Sequence, residues 1–310
     1  MKAIVTTTIN PPTEALRKYS QMEGWKLYVV GDKKTPDLYQ DFNYLSPEDQ
    51  EKKYLKLSKL IPWNCIQRRN LGFIEAYNDG AEIIATVDDD NIPTKDWGKG
   101  CTVNTHQDVH IYYPKNNVFD PLTHTNKSYY WHRGYPIQLL ADKNTYIDTK
   151  TAQHRRVLVQ ADLWTGDPDI DAIARIGVNE EFIDDFFYDG EDLTVEQSPY
   201  AGCVMGPFNS QNTFLSREIF PTYFLFPFIG RMDDIWASYV TQHYYKDCVA
   251  YCKPSVRQER NKHNLVKDLK DEMIGYENTL KLLGDLDNWE RYLPKSAIIA
   301  YNQYMKEFRE

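Results

Sequence analysis

The chain has 310 residues, of which 42% are hydrophobic and 26% are charged, as is ordinary for a globular protein. Its formal net charge of −9 argues against a nucleic-acid partner, because such a partner requires a basic surface. No stretch approaches the roughly 20 apolar residues of a transmembrane helix, so we expect no membrane-spanning segment.

Strand and helix patterns alternate in the first part of the chain. The predicted elements are strands at 2–9, 25–32 and 81–87 and helices at 13–24, 46–62 and 68–80. Ser46, Pro47 and Asp49 open the second of these helices with the pattern of a capping box. This order predicts an α/β fold with a mixed, mostly parallel sheet flanked by helices. In such sheets ligands bind beyond the carboxyl ends of the strands.

Short strand patterns continue this sheet beyond residue 97, and the pattern turns helical at about Asn264. We therefore expect one large domain over 1–263, with halves at 1–97 and 98–263. A C-terminal helical extension is expected over 264–310.

Polar residues follow the first two predicted strands. Thr7 and Asn10 lie at the end of the first strand and in its loop, and Asp32 and Lys33 lie at the end of the second. Asp32 can accept a hydrogen bond from a nucleobase or ribose, and a solvent-exposed turn explains it equally well. We expect both loops to line one crevice together with the acidic segment after the third strand.

Three adjacent carboxylates, Asp88, Asp89 and Asp90, end that third strand. Alternate residues of a strand point the same way, so Asp88 and Asp90 can face one crevice while Asp89 points aside or anchors the turn. Two convergent carboxylates favour Mg²⁺ or Mn²⁺, and such an ion neutralises a diphosphate leaving group. An acidic turn is the structural alternative. A phosphatase-type aspartate nucleophile is disfavoured, because Ile92 stands where Thr or Val is expected.

Basic residues flank the acidic strand in sequence. Arg68, Arg69 and Asn70 open the preceding helix, where they suit an anion or nucleobase contact or form a solvated helix end. His263 lies in a basic segment near the C-terminal helices and is a candidate metal ligand, a phosphate contact or a structural histidine.

Two further clusters suit sugar chemistry. Asn209, Gln211 and Asn212 form an uncharged series that matches sugar hydroxyls, with a turn as the alternative. Asp233 and Asp234 begin a predicted helix, where they complement its dipole or where one of them is the base that deprotonates an acceptor hydroxyl.

A series of motifs runs from about Lys18 to Asp268. In chain order they are YSQMEGWKLYVVGDKKTP, YLSPEDQ, RRNLGF, DDDN, RGYP, GDPDIDAIARI, PFNSQNTF, DDIW and QERNKHNLVKD. Together they resemble the STELLO-type glycosyltransferase-like family. A more distant resemblance, in ATVDDDNIPTKDWGKG, RGYP and GRMDDIWA, is to the reversibly glycosylated polypeptides, which are UDP-arabinopyranose mutases. That family carries a self-glycosylated arginine about where this chain has Leu140.

Both resemblances imply a GT-A-like, Rossmann-like fold, a nucleotide-sugar donor and a divalent metal. With the residue patterns above, they give a set of expected site residues. These are Asp88, Asp90 and His263 for the metal; Thr7, Asn10, Asp32, Lys33, Arg68, Arg69, Asn70 and Asp89 for the nucleotide; Arg133, Asp167, Asp169, Asn209, Gln211 and Asn212 for the donor sugar or acceptor; and Asp233 or Asp234 for the base.

We therefore expect a metal-dependent hexosyl- or pentosyltransferase that uses Mn²⁺ or Mg²⁺. It would move a sugar from a nucleoside diphosphate, above all UDP, to a hydroxyl of a glycan or another acceptor, by direct displacement with inversion. The alternatives are a nucleotide-sugar mutase or self-glycosylating protein, and a non-catalytic sugar-binding scaffold. The expected location is cytoplasmic, with peripheral membrane association left open, and the sequence indicates no oligomeric state.

Overall fold

The computed structural model describes residues 1–178, 191–259 and 264–308. The strands in these ranges are β1 (Lys2–Thr7), β2 (Trp25–Val30), β3 (Tyr44–Leu45), β4 (Ile83–Val87), β5 (Asn91–Pro93), β6 (His106–Pro114), β7 (Tyr146–Arg156), β8 (Val159–Gly166), β9 (Tyr200–Gly202), β10 (Asn212–Ser216) and β11 (Val249–Gln258). The α-helices are α1 (Glu14–Ser20), α2 (Pro47–Lys53), α3 (Leu55–Leu60), α4 (Arg69–Asn78), α5 (Ala172–Val178), α6 (Asp233–Tyr244), α7 (Leu265–Leu283) and α8 (Lys295–Lys306).

All of these strands join one sheet, in the order β3-β2-β1-β4-β10-β8-β11-β9-β6-β7, with β5 paired to β11. The first four strands in that order are parallel, as the alternating strand and helix pattern predicts. Antiparallel pairing enters at β10, and five of the ten strand pairs in the described residues are antiparallel. The expected α/β fold with a mixed sheet is confirmed, and its parallel part lies mainly in the first half of the chain.

Helices cover both faces of the parallel half. Ala3 and Val5 of β1 pack in the same core cluster as the apolar residues of α4. Ile4, between them, packs in a second cluster with Leu16 and Tyr19 of α1. This split follows from the strand geometry, because successive side chains point to opposite faces of the sheet.

Strand β10 lies between β4 and β8 and is antiparallel to both. It is wholly buried, and its first residue, Asn212, pairs with Val87, the last residue of β4. The loop that leads into β10 therefore lies beside the loop that leaves β4. Sequence patterns predicted a polar series or a turn here and not this strand.

The C-terminal helices are packed against the rest of the chain. Glu272 of α7 is fully buried, and its carboxylate accepts hydrogen bonds from Arg231 Nε and from the backbone N–H of Ala172, both at 2.7 Å. Tyr304 of α8 packs its ring 4.8 Å from that of Phe224. The division at residue 263 into a domain and an extension stays a prediction. Among the described helices, none is both long enough and apolar enough to cross a membrane.

The predicted capping box at the start of α2 is confirmed. The Ser46 hydroxyl accepts from the Asp49 backbone N–H at 3.1 Å, and the Asp49 carboxylate accepts from the Ser46 N–H at 3.3 Å. We expect Ser46→Ala to lower the free energy of unfolding by about 1 kcal/mol, because it leaves a helix N–H without its acceptor. Urea denaturation would measure this change. Ser20→Ala, at an exposed helix end, is the control and should change stability by less than about 0.5 kcal/mol. Equal effects of the two variants would contradict the capping role.

Candidate active site

Two adjoining cavities, which together we call the crevice, lie beyond the carboxyl ends of β1, β2 and β4. Their volumes are about 920 and 260 Å³. The predicted site residues that line the larger cavity are Asp88, Asp90, Arg133, Asp169, Gln211, Asp233 and Asp234. Those that line the smaller cavity are Thr7, Asn10, Asp32, Arg69, Asp88, Asp89 and Asp90. Most of the residues predicted from separate segments of the sequence therefore meet in one place.

Arg69 fixes the position of Asp88. Its Nη2 donates to Asp88 Oδ1 at 2.7 Å, and its Nη1 donates to the carbonyl oxygen of Ser210 at 2.8 Å. The guanidinium is almost wholly buried, whereas the side chain of Asp88 is 27% exposed. The arginine thus supports the acidic residue from behind and leaves it facing the crevice.

Asp89 orders the loop that follows β1. Its Oδ2 accepts hydrogen bonds from Thr8 Oγ1 at 2.5 Å and from Asn10 Nδ2 at 3.0 Å. Thr13, the N-cap of α1, donates to the Asp89 carbonyl oxygen at 2.5 Å. Burial raises the pKa of the Asp89 carboxyl. The expected anchoring role of Asp89 agrees with these contacts, while Asp88 and Asp90 line both cavities.

Arg68 is directed into the protein and lines neither cavity. Its guanidinium donates to Gln50 Oε1, to Ser58 and to the carbonyl oxygen of Ile61, and it stacks 3.5 Å from the ring centroid of Trp63. Burial lowers the pKa of Arg68 to about 10. These contacts make Arg68 a packing residue and leave Arg69 alone of the pair facing the crevice.

Asn70 and Asn212 also face inward rather than toward the expected ligand. Asn70 exchanges two hydrogen bonds with the backbone of Leu225, at 2.9 and 3.0 Å. Asn212 accepts from Trp97 Nε1 at 2.9 Å and donates to Ser255 Oγ at 3.0 Å. Both amides therefore hold segments of the core together.

Asp32 lies in the wall of the smaller cavity. Its two oxygens accept from the backbone N–H groups of Lys33 at 2.6 Å and Asn64 at 2.7 Å. The ammonium of Lys33 lies 4.8 Å from the ring centroid of Trp63, outside the cavity lining. Of this predicted pair, only Asp32 faces the position expected for the nucleotide.

A buried network centres on Arg133. Its Nε and Nη2 donate to both oxygens of Asp169 at 3.0 to 3.2 Å, and its Nη1 and Nη2 donate to both oxygens of Asp234 at 3.0 and 3.1 Å. Asn209 Nδ2 donates to Asp169 Oδ2 at 2.7 Å, and the Ser210 N–H donates to Asp234 Oδ2 at 2.9 Å. One guanidinium thus joins the RGYP, GDPD, PFNSQN and DDIW motifs.

The two acids at the start of α6 differ in their surroundings. Burial, and next the negative charge of Asp234, raise the pKa of Asp233 to about 7. Its carboxylate accepts from Gln67 Nε2 at 2.7 Å. Burial also acts to raise the pKa of Asp234, but the charge and hydrogen bonds of Arg133 outweigh it, so that pKa lies below its usual value. Asp234 is therefore a fixed anion, and Asp233 can gain or lose a proton near neutral pH.

Asp167 and Gln211 complete the placement of the predicted residues. Asp167 does not line the crevice, and its Oδ1 accepts from Arg175 Nη2 at 2.6 Å. Gln211 lines the larger cavity and donates to Gln258 Oε1 at the end of β11. Asn209 lies behind it, between Asp169 and Gln211. His263 lies outside the described residues.

The acidic pair at the end of β4 fits a hard dication. Asp88 and Asp90 both line the crevice and supply the carboxylate oxygens that Mn²⁺ and Mg²⁺ prefer. Within the described part of the chain, no three His, Cys, Asp or Glu side chains gather as a complete metal site. Two carboxylates from the protein suit an ion whose other positions are filled by phosphate oxygens.

Two of the crevice residues that sequence patterns missed contact the buried acids directly. Gln67 is the hydrogen-bond partner of Asp233, and it directly precedes the two arginines that the sequence did single out. Arg231 lines the larger cavity, bonds to Glu272 and approaches Asp169 at 3.8 Å. Its position two residues before Asp233 is a signal that could have found it.

No protein-family model matches the chain. Solved structures of glucosyl-3-phosphoglycerate synthase from Mycobacterium tuberculosis overlap with it at 13% sequence identity. One covers 90% of this chain and 79% of that chain with a TM-score of 0.45. Another, in complex with Mn²⁺ and uridine-diphosphate-glucose, covers 91% and 77% with a TM-score of 0.43. Scores below 0.5 do not establish a common fold.

Two curated proteins of Arabidopsis thaliana are similar in sequence to this chain. They are named "Probable glycosyltransferase STELLO2" and "Probable glycosyltransferase STELLO1", and each is 25% identical over 240 residues. The similarity covers 71% of this chain but only 30% of each relative's length. It confirms the resemblance in the sequence motifs, and the chain is a sequence relative of the STELLO-type glycosyltransferase-like family.

Proposed function

We propose that the protein is a metal-dependent glycosyltransferase that moves a sugar from a nucleoside diphosphate to a hydroxyl group. One observation carries the proposal. The paired carboxylates at the end of β4 and the acid pair at the start of α6 line the same cavity of about 920 Å³. This volume lies in the usual range for a small-molecule site, and it is large enough for a sugar and part of an acceptor.

The donor nucleotide is assigned to the carboxyl ends of β1, β2 and β4. Asp32, Thr7 and Asn10 would line the nucleoside, and Asp88 and Asp90 would hold Mn²⁺ or Mg²⁺ with the diphosphate. A bound dication would offset the negative charge that develops on the leaving diphosphate. Arg69 would keep Asp88 oriented, and Asp89 would keep the β1 loop in place.

Asp233 is the proposed general base. It lines the cavity, and its raised pKa of about 7 matches a group that must accept a proton near neutral pH. Asp234 is less suited, because Arg133 and Ser210 engage both of its oxygens. Removal of the acceptor proton by Asp233 on the side opposite the diphosphate would give direct displacement with inversion. Gln67 would orient the base.

The donor proposal predicts metal-dependent nucleotide binding. We expect UDP or a UDP-sugar with Mn²⁺ to raise the thermal midpoint, since a ligand at 100 times its Kd stabilises by about 2.7 kcal/mol. Uridine nucleotides are tested first, because the reversibly glycosylated polypeptides, which the chain resembles more distantly, act on a UDP-sugar. Differential scanning fluorimetry with and without Mn²⁺ would measure the shift. Asp90→Asn should abolish its metal-dependent part.

Asp96→Asn is the matched control for this experiment. Asp96 is exposed in the same region of the chain, where it pairs with Lys99. The Asp96→Asn variant should show the same ligand-induced shift of the thermal midpoint as the unaltered protein. A shift that is identical in the Asp90→Asn variant, or that is insensitive to Mn²⁺, would contradict the proposed site and favour a sugar-binding scaffold.

A second assay distinguishes transfer to an external acceptor from self-glycosylation. Incubation with radiolabelled UDP-glucose, UDP-galactose or UDP-arabinose and no acceptor should leave the protein unlabelled if transfer to an external hydroxyl is its activity. Stable labelling of the chain would instead support the self-glycosylating alternative.

A further inference from the structure

A third cavity, which we call the distal cavity, lies away from the crevice. Its volume is about 480 Å³, and none of its described lining residues also lines the crevice. Helices α6 and α7 connect the two regions, since each begins at the crevice and ends at the distal cavity. With 12 and 19 residues, they are roughly 18 and 28 Å long.

The wall of the distal cavity is mainly apolar. Val204, Met205, Leu280, Leu283 and Leu286 line it. This surface suits the hydrocarbon body of a small molecule rather than a sugar, whose hydroxyl groups need many hydrogen-bond partners.

One buried cation interrupts this apolar wall. The side chain of Arg155 is only 10% exposed, and its Nε and Nη2 are buried with no hydrogen-bond acceptor in reach among the described residues. Its Nη1 donates to the carbonyl oxygen of Asp247 at 3.4 Å and lies 3.8 Å from the Asp247 carboxylate. A buried donor without an acceptor is costly, so this arrangement favours an anion beside the guanidinium.

The geometry of the guanidinium narrows the class of anion. A guanidinium is planar and pairs with the two oxygens of a carboxylate, which makes a carboxylate the anion that suits Arg155. Among the residues that the structure describes, the charged ones in the cavity wall are Arg155, Lys246 and Asp247, so the formal charge of this wall is positive although that of the whole chain is −9. Burial lowers the pKa of Arg155, as expected for a cation whose charge is only partly neutralised by neighbouring acids.

We propose that the distal cavity is a second ligand site, which binds a carboxylate with an apolar body beside the guanidinium of Arg155. This site is independent of the proposed transferase activity. Loss of one function in an experiment therefore leaves the other testable.

Calorimetric titration of the full chain with hexanoate, octanoate, decanoate and 4-phenylbutanoate tests the proposal. We expect saturable binding of at least one acid, and binding at least about tenfold weaker for the matched alcohol. The Arg155→Met substitution should weaken binding of the acid by about tenfold or more. Arg156→Met is the matched control, because the next residue on β7 is exposed and pairs with Glu218; it should change affinity by less than twofold. Equal binding of acid and alcohol, or full binding by Arg155→Met, would overturn the proposal.

A measurement on the unaltered protein covers the case in which Arg155→Met fails to fold. Cys203 lines the distal cavity and is exposed, whereas Cys65 lines the crevice. The bound acid should slow alkylation of Cys203 by N-ethylmaleimide and leave Cys65 unaffected, as read by peptide mass spectrometry. No protection of Cys203 at millimolar concentrations of any of the four acids would rule out the site.

Discussion

Replacing Asp233 with asparagine is expected to lower kcat by about 10²- to 10⁴-fold, the usual contribution of a general base. The substitution keeps the shape of the side chain and the contact with Gln67 but removes proton uptake. Binding of the nucleotide with Mn²⁺ should persist, because Asp88 and Asp90 lie on a different element. Initial rates of sugar transfer, together with a binding titration, would separate the two effects. Unchanged kcat in Asp233→Asn would remove this residue as the base.

The pH dependence gives a second test of the same residue. Burial and the charge of Asp234 raise the pKa of Asp233 to about 7, so the acid is protonated below that pH. A base acts when deprotonated, and kcat/KM should therefore rise as pH increases through about 7 and then level off. The rise should vanish in Asp233→Asn and persist in the exposed control Asp96→Asn.

Replacing Arg133 with methionine is expected to lower the free energy of unfolding by about 3–5 kcal/mol at pH 7. The loss has a definite origin: Asp169 and Asp234 would remain buried without the cation that holds four of their oxygens. Urea denaturation monitored by tryptophan fluorescence would measure it. Arg156→Met removes an exposed ion pair with Glu218 and should cost less than about 1 kcal/mol.

Two further observations would identify the buried charges as the cause. The deficit of Arg133→Met should shrink as pH falls, because the uncompensated carboxylates then take up protons. Arg133→Lys should retain part of the stability, since it keeps the charge but not the forked geometry. A deficit that does not depend on pH would point to lost packing instead.

Much of the fold and of the crevice was predictable because local patterns determine it. The parallel half of the sheet follows from alternating strand and helix signals, and the capping box at Ser46 from three residues in sequence. The position of Asp88 and Asp90 in a crevice follows from their place at the end of a buried parallel strand. In each case the decisive information lies within a few neighbouring residues.

Other features depend on contacts between distant segments and left no local signal. Arg68 and Arg69 are adjacent and chemically identical. Arg68 nevertheless donates to the backbone carbonyl oxygens of residues 58 and 61, whereas Arg69 donates to Asp88. Asn212 belongs to β10, which pairs with β4. Its partner in that pairing is Val87, which lies 125 residues earlier in the chain (212 − 87). Which acid of the Asp233–Asp234 pair is free to titrate depends on Arg133, about a hundred residues earlier in the chain.

The buried carboxylate of Glu272 has a practical consequence for the design of C-terminally truncated variants. It caps the backbone of α5 and anchors Arg231, so α7 is at once part of the core and part of the crevice wall. A version shortened to end before Leu265 would leave Arg231 without its nearest acid. We expect such a fragment to precipitate on expression, and a minimal crystallisable piece should therefore retain α7.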